Sequence, residues 1–521
     1  MFQVLATDSI AKEGLTVLEN DSNVSVIYGS VDEAPTTIDA LIVRSATQVT
    51  AELLAQFPSL KIVARAGVGT DNIDIDAASK RGVLVINAPD GNTISTAEHT
   101  FAMMMSLLRR IPQANHSILE GKWNRSSFKG SELLGKVVGI IGLGRIGTEL
   151  AKRLKAFQTD VIVFDPFLTE ERAKSLHVQS VSLDALLTTS DIITVHTPLT
   201  KETKNLLSKE NLAKTKKGVY FINCARGGIY DEEALYDCLK SGHAAGCALD
   251  VFIEEPATNN KLVHLPNVVA TPHIAASTTE AQLNVAVGVA QEIHGFFNGK
   301  TVKNAINLPS VPGEELQKIM PFHELAKLSG QILSQVFTSG VKEIRLSFSG
   351  TITDHDTGLV TRGLLSGFLM QRVDRYVNDI NAPLIAKEQG FTISETSRSE
   401  TYGYENCLQV EVIGEHDSFS LQSTYIPGYG PRIVNMNGYV TDFMPEGAMI
   451  YIEHVDKPGV IGNVGKLLGD LDINIASMQV GRKKAGGEAI MLLTFDHELT
   501  KETEMKIRQL KDVVSAKSLA L

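Results

Sequence analysis

The sequence predicts an α/β protein: two doubly wound parallel-sheet domains, then an α+β domain, then a small domain of order βαββαβ. Three observations carry this reading. Over the first ninety residues short apolar runs alternate with helical segments, the pattern of a parallel sheet covered on both faces. A second such series starts near Lys136 and opens on a glycine-rich loop. Beyond Leu308 the texture turns to apolar–polar alternation, as in half-exposed antiparallel strands. A chain of 521 residues is too long for one core, and about three or four domains are expected.

Taken in order, "QVLAT", "VSVIY", "ALIVRS", "KIVARAG" and "VLVIN" read as buried strands, with "AKEGLTVLEN" and "TAELLAQF" as amphipathic helices among them. "STAEHTFAMMMSLLRRI" opens with Ser/Thr residues suited to a cap and runs apolar for several turns. It reads as a long buried helix in which Met103, Met104 and Met105 are core. The second series supplies six strands, "KVVGIIG", "VIVFD", "IITVH", "GVYFIN", "GCALD" and "NVVAT", the number of a complete dinucleotide-binding sheet. The helical stretch "STTEAQLNVAVGVAQEIHGFFNGK" closes it. In "NLPSVPGEE" two prolines and a glycine interrupt every period, placing a linker over Leu308–Glu314. The strands "VKEIRLSFSG", "CLQVEVIG", "SFSLQSTYI" and "PRIVNMNGYVTDF" follow, the last with an Asn-Gly hairpin turn. From about Ala448 the order is strand, helix, strand, turn at Ala485–Gly487, strand, helix, strand, the ferredoxin-like arrangement.

The 49 basic against 60 acidic residues leave a net charge of −11, which disfavours a nucleic-acid partner bound through phosphate neutralisation. Cys224, Cys238, Cys247 and Cys407 have neither disulfide-framework nor zinc-ligand spacing, so no metal is expected. The start "MFQVLATDSI" has no secretory pattern and no apolar run approaches a membrane span. A cytoplasmic protein with no membrane partner is expected.

Gly142-Leu143-Gly144-Arg145-Ile146-Gly147 is a GxGxxG loop between a buried strand and a helix, so the first helical amides face any bound phosphate. The next strand ends in Asp165, where a carboxylate accepts a bond from an adenosine ribose hydroxyl and repels a 2′-phosphate. NAD is therefore expected rather than NADP. Later strand exits carry Arg226 in "INCARGG", Asp250 and Glu255 in "ALDVFIEEP", and His273 in "TPHIAAST". Oxidising a hydroxyl needs a base for its proton while hydride leaves carbon, and a histidine backed by a carboxylate serves. An arginine can grip a carboxylate and polarise the oxygen that becomes the carbonyl. His99, His116 and His243 sit in no pattern and read as structural or exposed.

In combination "GLGRIG", "NCARGG", "ALDVFIEEP" and "TPHIAAST" resemble the NAD-dependent D-2-hydroxyacid dehydrogenase family. With its two C-terminal domains the whole chain resembles the long phosphoglycerate dehydrogenase branch of that family. The resemblance implies a discontinuous substrate domain over 1–95 and 275–308 and a Rossmann domain inserted at 96–274. It further implies an intervening, allosteric-substrate-binding-like domain at 311–445 and an ACT domain at 448–521. His273 would be the acid/base and Arg226 the substrate-orienting cation. Glu255, the acid just before proline, rather than Glu254, would be the partner of His273.

Around NAD the resemblance places Gly142, Gly144, Arg145, Ile146, Gly147, Asp165, His196, Thr197, Pro198, Cys224, Ala225, Asp250 and Ala276, with Asp250 on the carboxamide. For the substrate it supplies Arg44 and Ser45 in "LIVRSATQV", Gly67 and Val68 in "RAGVGTDNID", and Asn92 in "NAPDGNT". Arg125 would come from a segment used at the subunit contact. In the last domain Asp456 and Asn474 would hold an effector such as L-serine across a domain dimer, with a purely assembling role as the other reading. The implied activity is oxidation of 3-phospho-D-glycerate to 3-phosphohydroxypyruvate, the first step of L-serine synthesis, by a homo-oligomer, dimer or tetramer. The alternatives are a reductase of glyoxylate, hydroxypyruvate or another 2-oxo acid, and an NAD-sensing binding protein.

Overall fold

The computed structural model describes every residue except 301, 310 and 312. The linker expected over 308–314 thus lies partly outside the described residues. The fold class is the one read from the sequence. A first parallel sheet comprises β1 (Phe2–Ala6), β2 (Val24–Tyr28), β3 (Ala40–Val43), β4 (Ile62–Arg65) and β5 (Leu84–Asn87), in the order β2-β1-β3-β4-β5. Its strands are short and mostly apolar because helices cover both faces. "AKEGLTVLEN" departs from the expected helix, forming a 3₁₀ turn, Lys12–Leu15, and then Thr16–Glu19. Gly14 lies there against Ala286, with no room for a Cβ.

The second sheet comprises β6 (Val137–Ile141), β7 (Asp160–Phe164), β8 (Gln179–Ser180), β9 (Ile192–Val195), β10 (Val219–Asn223), β11 (Ala244–Leu249) and β12 (Val268–Ala270). Its order is β12-β11-β10-β9-β6-β7-β8, all parallel. It has seven strands instead of six, because the two-residue, exposed β8 adds to one edge. Too short and polar for an apolar run, it left no pattern to read.

Two helices carry the chain between the sheets. Ala88 packs in the core of the first sheet, whereas Met103 and Met104 of α1 (Thr93–Arg109) pack in that of the second. This helix starts before the expected Ser/Thr cap: Asn92 is the N-cap and makes no side-chain capping bond. On the return, Ala275 packs in the second core, and Val285, Ala286 and Val289 of α2 (Thr279–Phe297) pack in the first. The Thr278 hydroxyl caps α2, accepting from Ala281 N–H at 3.1 Å.

The third sheet runs β14-β13-β15-β16-β17-β18, from β13 (Glu343–Gly350), β14 (Thr392–Arg398), β15 (Asn406–Ile413), β16 (Ser418–Ile426), β17 (Gly430–Met436) and β18 (Tyr439–Phe443). The β17–β18 turn has Asn437 and Gly438 at φ 50° and 83°, as an Asn-Gly hairpin requires. Strand β14, polar and largely exposed, pairs parallel to β13, an addition to the antiparallel set expected. The helix Gly313–Val336 covers this sheet. The segment before the helix Ala382–Glu388 reaches back to the first domain: Ile380 joins its core, and Asn378 Nδ2 donates to Gly82 O at 2.8 Å.

In the last sheet, β19 (Ala448–Val455), β20 (Ile475–Arg482), β21 (Glu488–Phe495) and β22 (Val513–Ala520) take the order β20-β21-β19-β22, the ferredoxin-like one. Met449, Tyr451, Ile490, Leu492 and Leu519 of its outer face pack into the core of the third sheet. No described helix is long and apolar enough to cross a membrane.

Candidate active site

The expected reacting groups meet at the exits of β10, β11 and β12. His273 Nδ1 lies 2.8 Å from Glu255 Oε2, and Glu255 Oε1 accepts from the Phe252 N–H at 3.1 Å. His273 has the left-handed φ of 54°, which turns the ring out of the strand exit, and both side chains are partly exposed. A Cβ on Gly227 would overlap the Phe252 carbonyl, so the loop carrying Arg226 backs directly onto the segment carrying Glu255. Asn223, at the end of β10, shapes that loop by accepting from Ala225 N–H and donating to Arg226 O.

Arg226 also crosses to the first domain. Its Nε donates to Asp71 Oδ2 at 3.2 Å, and its guanidinium fills the space a Cβ of Gly69 would take. Two residues earlier, Gly67 has φ 156°, and there the Arg65 guanidinium takes the space of a Cβ. Arg65 is the residue the sequence reading passed over. It is partly buried, its Nε has no partner among the described residues, and burial, then the like charges of Arg226 and Arg44, push its guanidinium below its ordinary value. An arginine ending a buried strand was the available signal, hidden because "KIVARAG" reads as a plain core strand. Arg44 is half-buried and Ser45 exposed on the turn after β3, and Val68 is half-buried with its carbonyl accepting from Asn87. Asn92 leaves its Oδ1 buried without a partner among the described residues. Arg125 stands apart, exposed on the 3₁₀ turn Arg125–Phe128.

The glycine loop fits a dinucleotide. Gly142 has φ 91°, and a Cβ there would come within 2.7 Å of the His196 carbonyl. Gly147 presses the helix Arg145–Ala156 onto Gly142 O, whereas Gly144, its N-cap, faces open space. With no side-chain cap, the first amides of that helix remain free for an anion. Beside the loop, His196 Nδ1 and Thr197 Oγ1 are buried and unpartnered among the described residues. Burial also pushes His196 down to about 4, so the ring is neutral. Pro198 follows, its carbonyl accepting from Thr203. Asp165 accepts from Leu143 N–H at 2.7 Å and Phe167 N–H at 2.8 Å, which fixes it against the loop. Arg145 pairs with Asp90 of the first domain at 2.5 Å, a second bridge between the two domains.

Two expected cofactor contacts face inward. The Asp250 carboxylate is wholly buried, and accepts from Thr271 Oγ1, Ile274 N–H and Ala275 N–H at 2.6–2.9 Å, with His99 at 3.4 Å. Burial alone would raise its pKa, but the bonds from His99, Thr271 and the two amides prevail and hold it below the carboxylate range. Asp250 thus braces the segment carrying His273 and Ala276. The Cys224 thiol is buried and pushed up to about 12, chiefly by burial. In the last domain Asp456 accepts from Arg482 and Gly486 N–H beside the β19–β21 pair at Val455–Glu488, whereas Asn474 bonds Asp496 at the Phe495 end. One copy of the chain holds them at opposite ends of the sheet.

Comparison with known proteins supplies the family. Residues 101–275 match the family described as D-isomer specific 2-hydroxyacid dehydrogenase, NAD binding domain. Residues 318–437 match the D-3-phosphoglycerate dehydrogenase intervening domain, and 448–512 the ACT domain. Among solved structures, the D-lactate dehydrogenase of Aquifex aeolicus, complexed with NAD and lactic acid, is 32% identical. It covers 59% of this chain and 100% of its own, with a TM-score of 0.52. The NAD-dependent formate dehydrogenase of Staphylococcus aureus, in complex with NAD, is likewise 32% identical, covering 60% and 100%, with a TM-score of 0.53. The D-3-phosphoglycerate dehydrogenase of Methanocaldococcus jannaschii is 41% identical over 98% of each chain. That of Bacillus subtilis is 54% identical over 524 residues, 100% of both chains. With identity of this extent along the full length, the chain belongs to the D-3-phosphoglycerate dehydrogenase family.

Proposed function

We propose that this protein oxidises 3-phospho-D-glycerate to 3-phosphohydroxypyruvate with NAD, the first step of L-serine synthesis. The observation that carries the reading is the His273–Glu255 pair on a segment that packs against the Arg226 loop, with Arg65 close to Arg226. Arg226, released from Asp71, holds the substrate carboxylate and the nascent carbonyl oxygen, and Arg65, Arg44 and the Gly67–Val68 amides receive the phosphate. His273 Nε2 takes the hydroxyl proton, and Glu255 at Nδ1 stabilises the imidazolium so formed and fixes the ring. Gly142–Gly147, Asp165, His196 and Thr197 would hold NAD, which when bound supplies the hydride acceptor at its nicotinamide ring.

The division of labour follows the limits expected from the sequence: 1–95 with 275–308 for substrate, 96–274 for NAD, and 311–445 and 448–521 for regulation. An effector held by both Asp456 and Asn474 requires two ACT domains, so the protein works as a homo-oligomer, in the cytoplasm. A panel of 2-hydroxy acids followed at 340 nm tests the activity. Turnover confined to 3-phosphoglycerate is expected, and equal rates with lactate or glycolate would sink the reading.

A further inference from the structure

Arg44–Thr47, the turn after β3, has no regular secondary structure, yet groups outside it bind its backbone on both sides. On one side stands Asp8, at the exit of β1. Its Oδ2 accepts from the Arg44 N–H at 2.8 Å and the Thr47 N–H at 3.1 Å, and its Oδ1 accepts from the Thr47 hydroxyl at 2.6 Å. On the other side Asn72 Nδ2 donates to Arg44 O at 2.8 Å and Thr47 O at 2.6 Å. The polarity is complementary, a carboxylate on the turn's donors and an amide on its carbonyls, so neither residue could replace the other.

The clamp is itself held firmly. The Val49 N–H donates to Asn72 O at 2.8 Å, and Asp8 keeps the left-handed φ of 59° that aims its carboxylate at the turn. The Arg44 side chain makes no hydrogen bond among the described residues, so its reach is set by the backbone beneath it.

We propose that Asp8 and Asn72 are positioning residues for the reaction, holding the Arg44–Thr47 turn so that Arg44 and Ser45 meet the substrate. This rests on the reading of Arg44 and Ser45 as substrate contacts. Asp71, the neighbour of Asn72, accepts from Arg226, so the loop that grips the turn also touches the cation on the other wall of the cleft. Ordering the turn beforehand spares the substrate that cost on binding.

The test is steady-state NADH formation by the full chain, with 3-phosphoglycerate varied at saturating NAD. Asp8→Ala is expected to raise the substrate KM by about 10- to 100-fold, the range for partners that orient a binding group. Its kcat should stay within about twofold and its calorimetric Kd for NAD should not move. Asp8→Asn, which keeps one acceptor, should recover part of the loss, and Asn72→Asp, which sets an acceptor against two carbonyls, should not. In an Arg44→Ala background the Asp8→Ala effect should vanish, since nothing remains to be positioned. An unchanged KM, an equal loss in both backgrounds, or a Kd for NAD shifting in step with KM would overturn the proposal. Should Asp8→Ala not fold, Thr47→Val removes the hydroxyl contacts to Asp8 and Thr7 while leaving the backbone bonds, and is judged by the same outcomes. An unchanged KM in Arg44→Ala by itself overturns the substrate assignment of Arg44, and is read separately from the Asp8 results.

Discussion

His273 receives its orientation from one carboxylate, and Glu255 is fixed in turn by one amide, so the proton-transfer machinery is a short chain of two bonds. Replacing His273 by alanine should lower kcat by about 10²- to 10⁴-fold, read as NADH formation at saturating substrate. Glu255→Gln should cost less, because the amide still orients the ring but no longer stabilises its cation. His196 behaves differently. Its folded-state value of about 4 lies below the 6.5 of an exposed imidazole, so between these values the unfolded chain binds the extra proton. Stability therefore falls as pH drops through that window, by up to about 1.4 kcal/mol per pH unit. Urea unfolding at pH 7 and pH 5 should show a smaller acid loss in His196→Gln than in the parent. The sequence made His273, Glu255 and Arg226 legible because each stands at a strand exit in a dense motif. Arg65 stayed hidden, because its role comes from a fold back over Gly67 that only three dimensions display.

Gly142 and Gly144, in the loop preceding the helix Arg145–Ala156, have separable duties. Gly142→Ala meets both a positive φ and the His196 carbonyl, so about 1–3 kcal/mol of destabilisation is expected, with weakened NAD binding. Gly144→Ala meets open space within the protein. It should leave the melting temperature in place yet weaken NAD about tenfold or more, the new methyl group blocking close approach of the pyrophosphate. Scanning calorimetry with and without NAD separates the two. Elements were legible where burial writes a pattern: the strands of the two parallel sheets are nearly unbroken apolar runs. Strands β8 and β14 were not, since both are exposed edges whose pairing is decided by a neighbouring backbone rather than by their own side chains.

In the molecule as a whole, residues 1–308 form the catalytic unit of the proposal; the dehydrogenase of Aquifex aeolicus matches in full to 59% of this chain. A chain ending at 308 is expected to keep forming NADH. One ending at 446 would uncover the part of the third core that Met449, Tyr451 and Leu492 complete, where Tyr451 packs on Phe419, and should aggregate on size-exclusion chromatography. The order of the four domains could be read from changes of texture along the chain, but not how they dock. Ile380 in the first core and Asn378 on Gly82 are contacts between segments roughly three hundred residues apart, which no local periodicity encodes. The two passages between the parallel sheets, at Asn92 and just beyond Ala275, are where the chain crosses from one core to the other. His273 lies two residues before Ala275 at the return passage, whereas Arg44 follows β3, the central strand of the first sheet. In the proposed reading the proton acceptor is thus tied to the crossover and the anion grip to the first sheet alone, so the two duties belong to different parts of the chain.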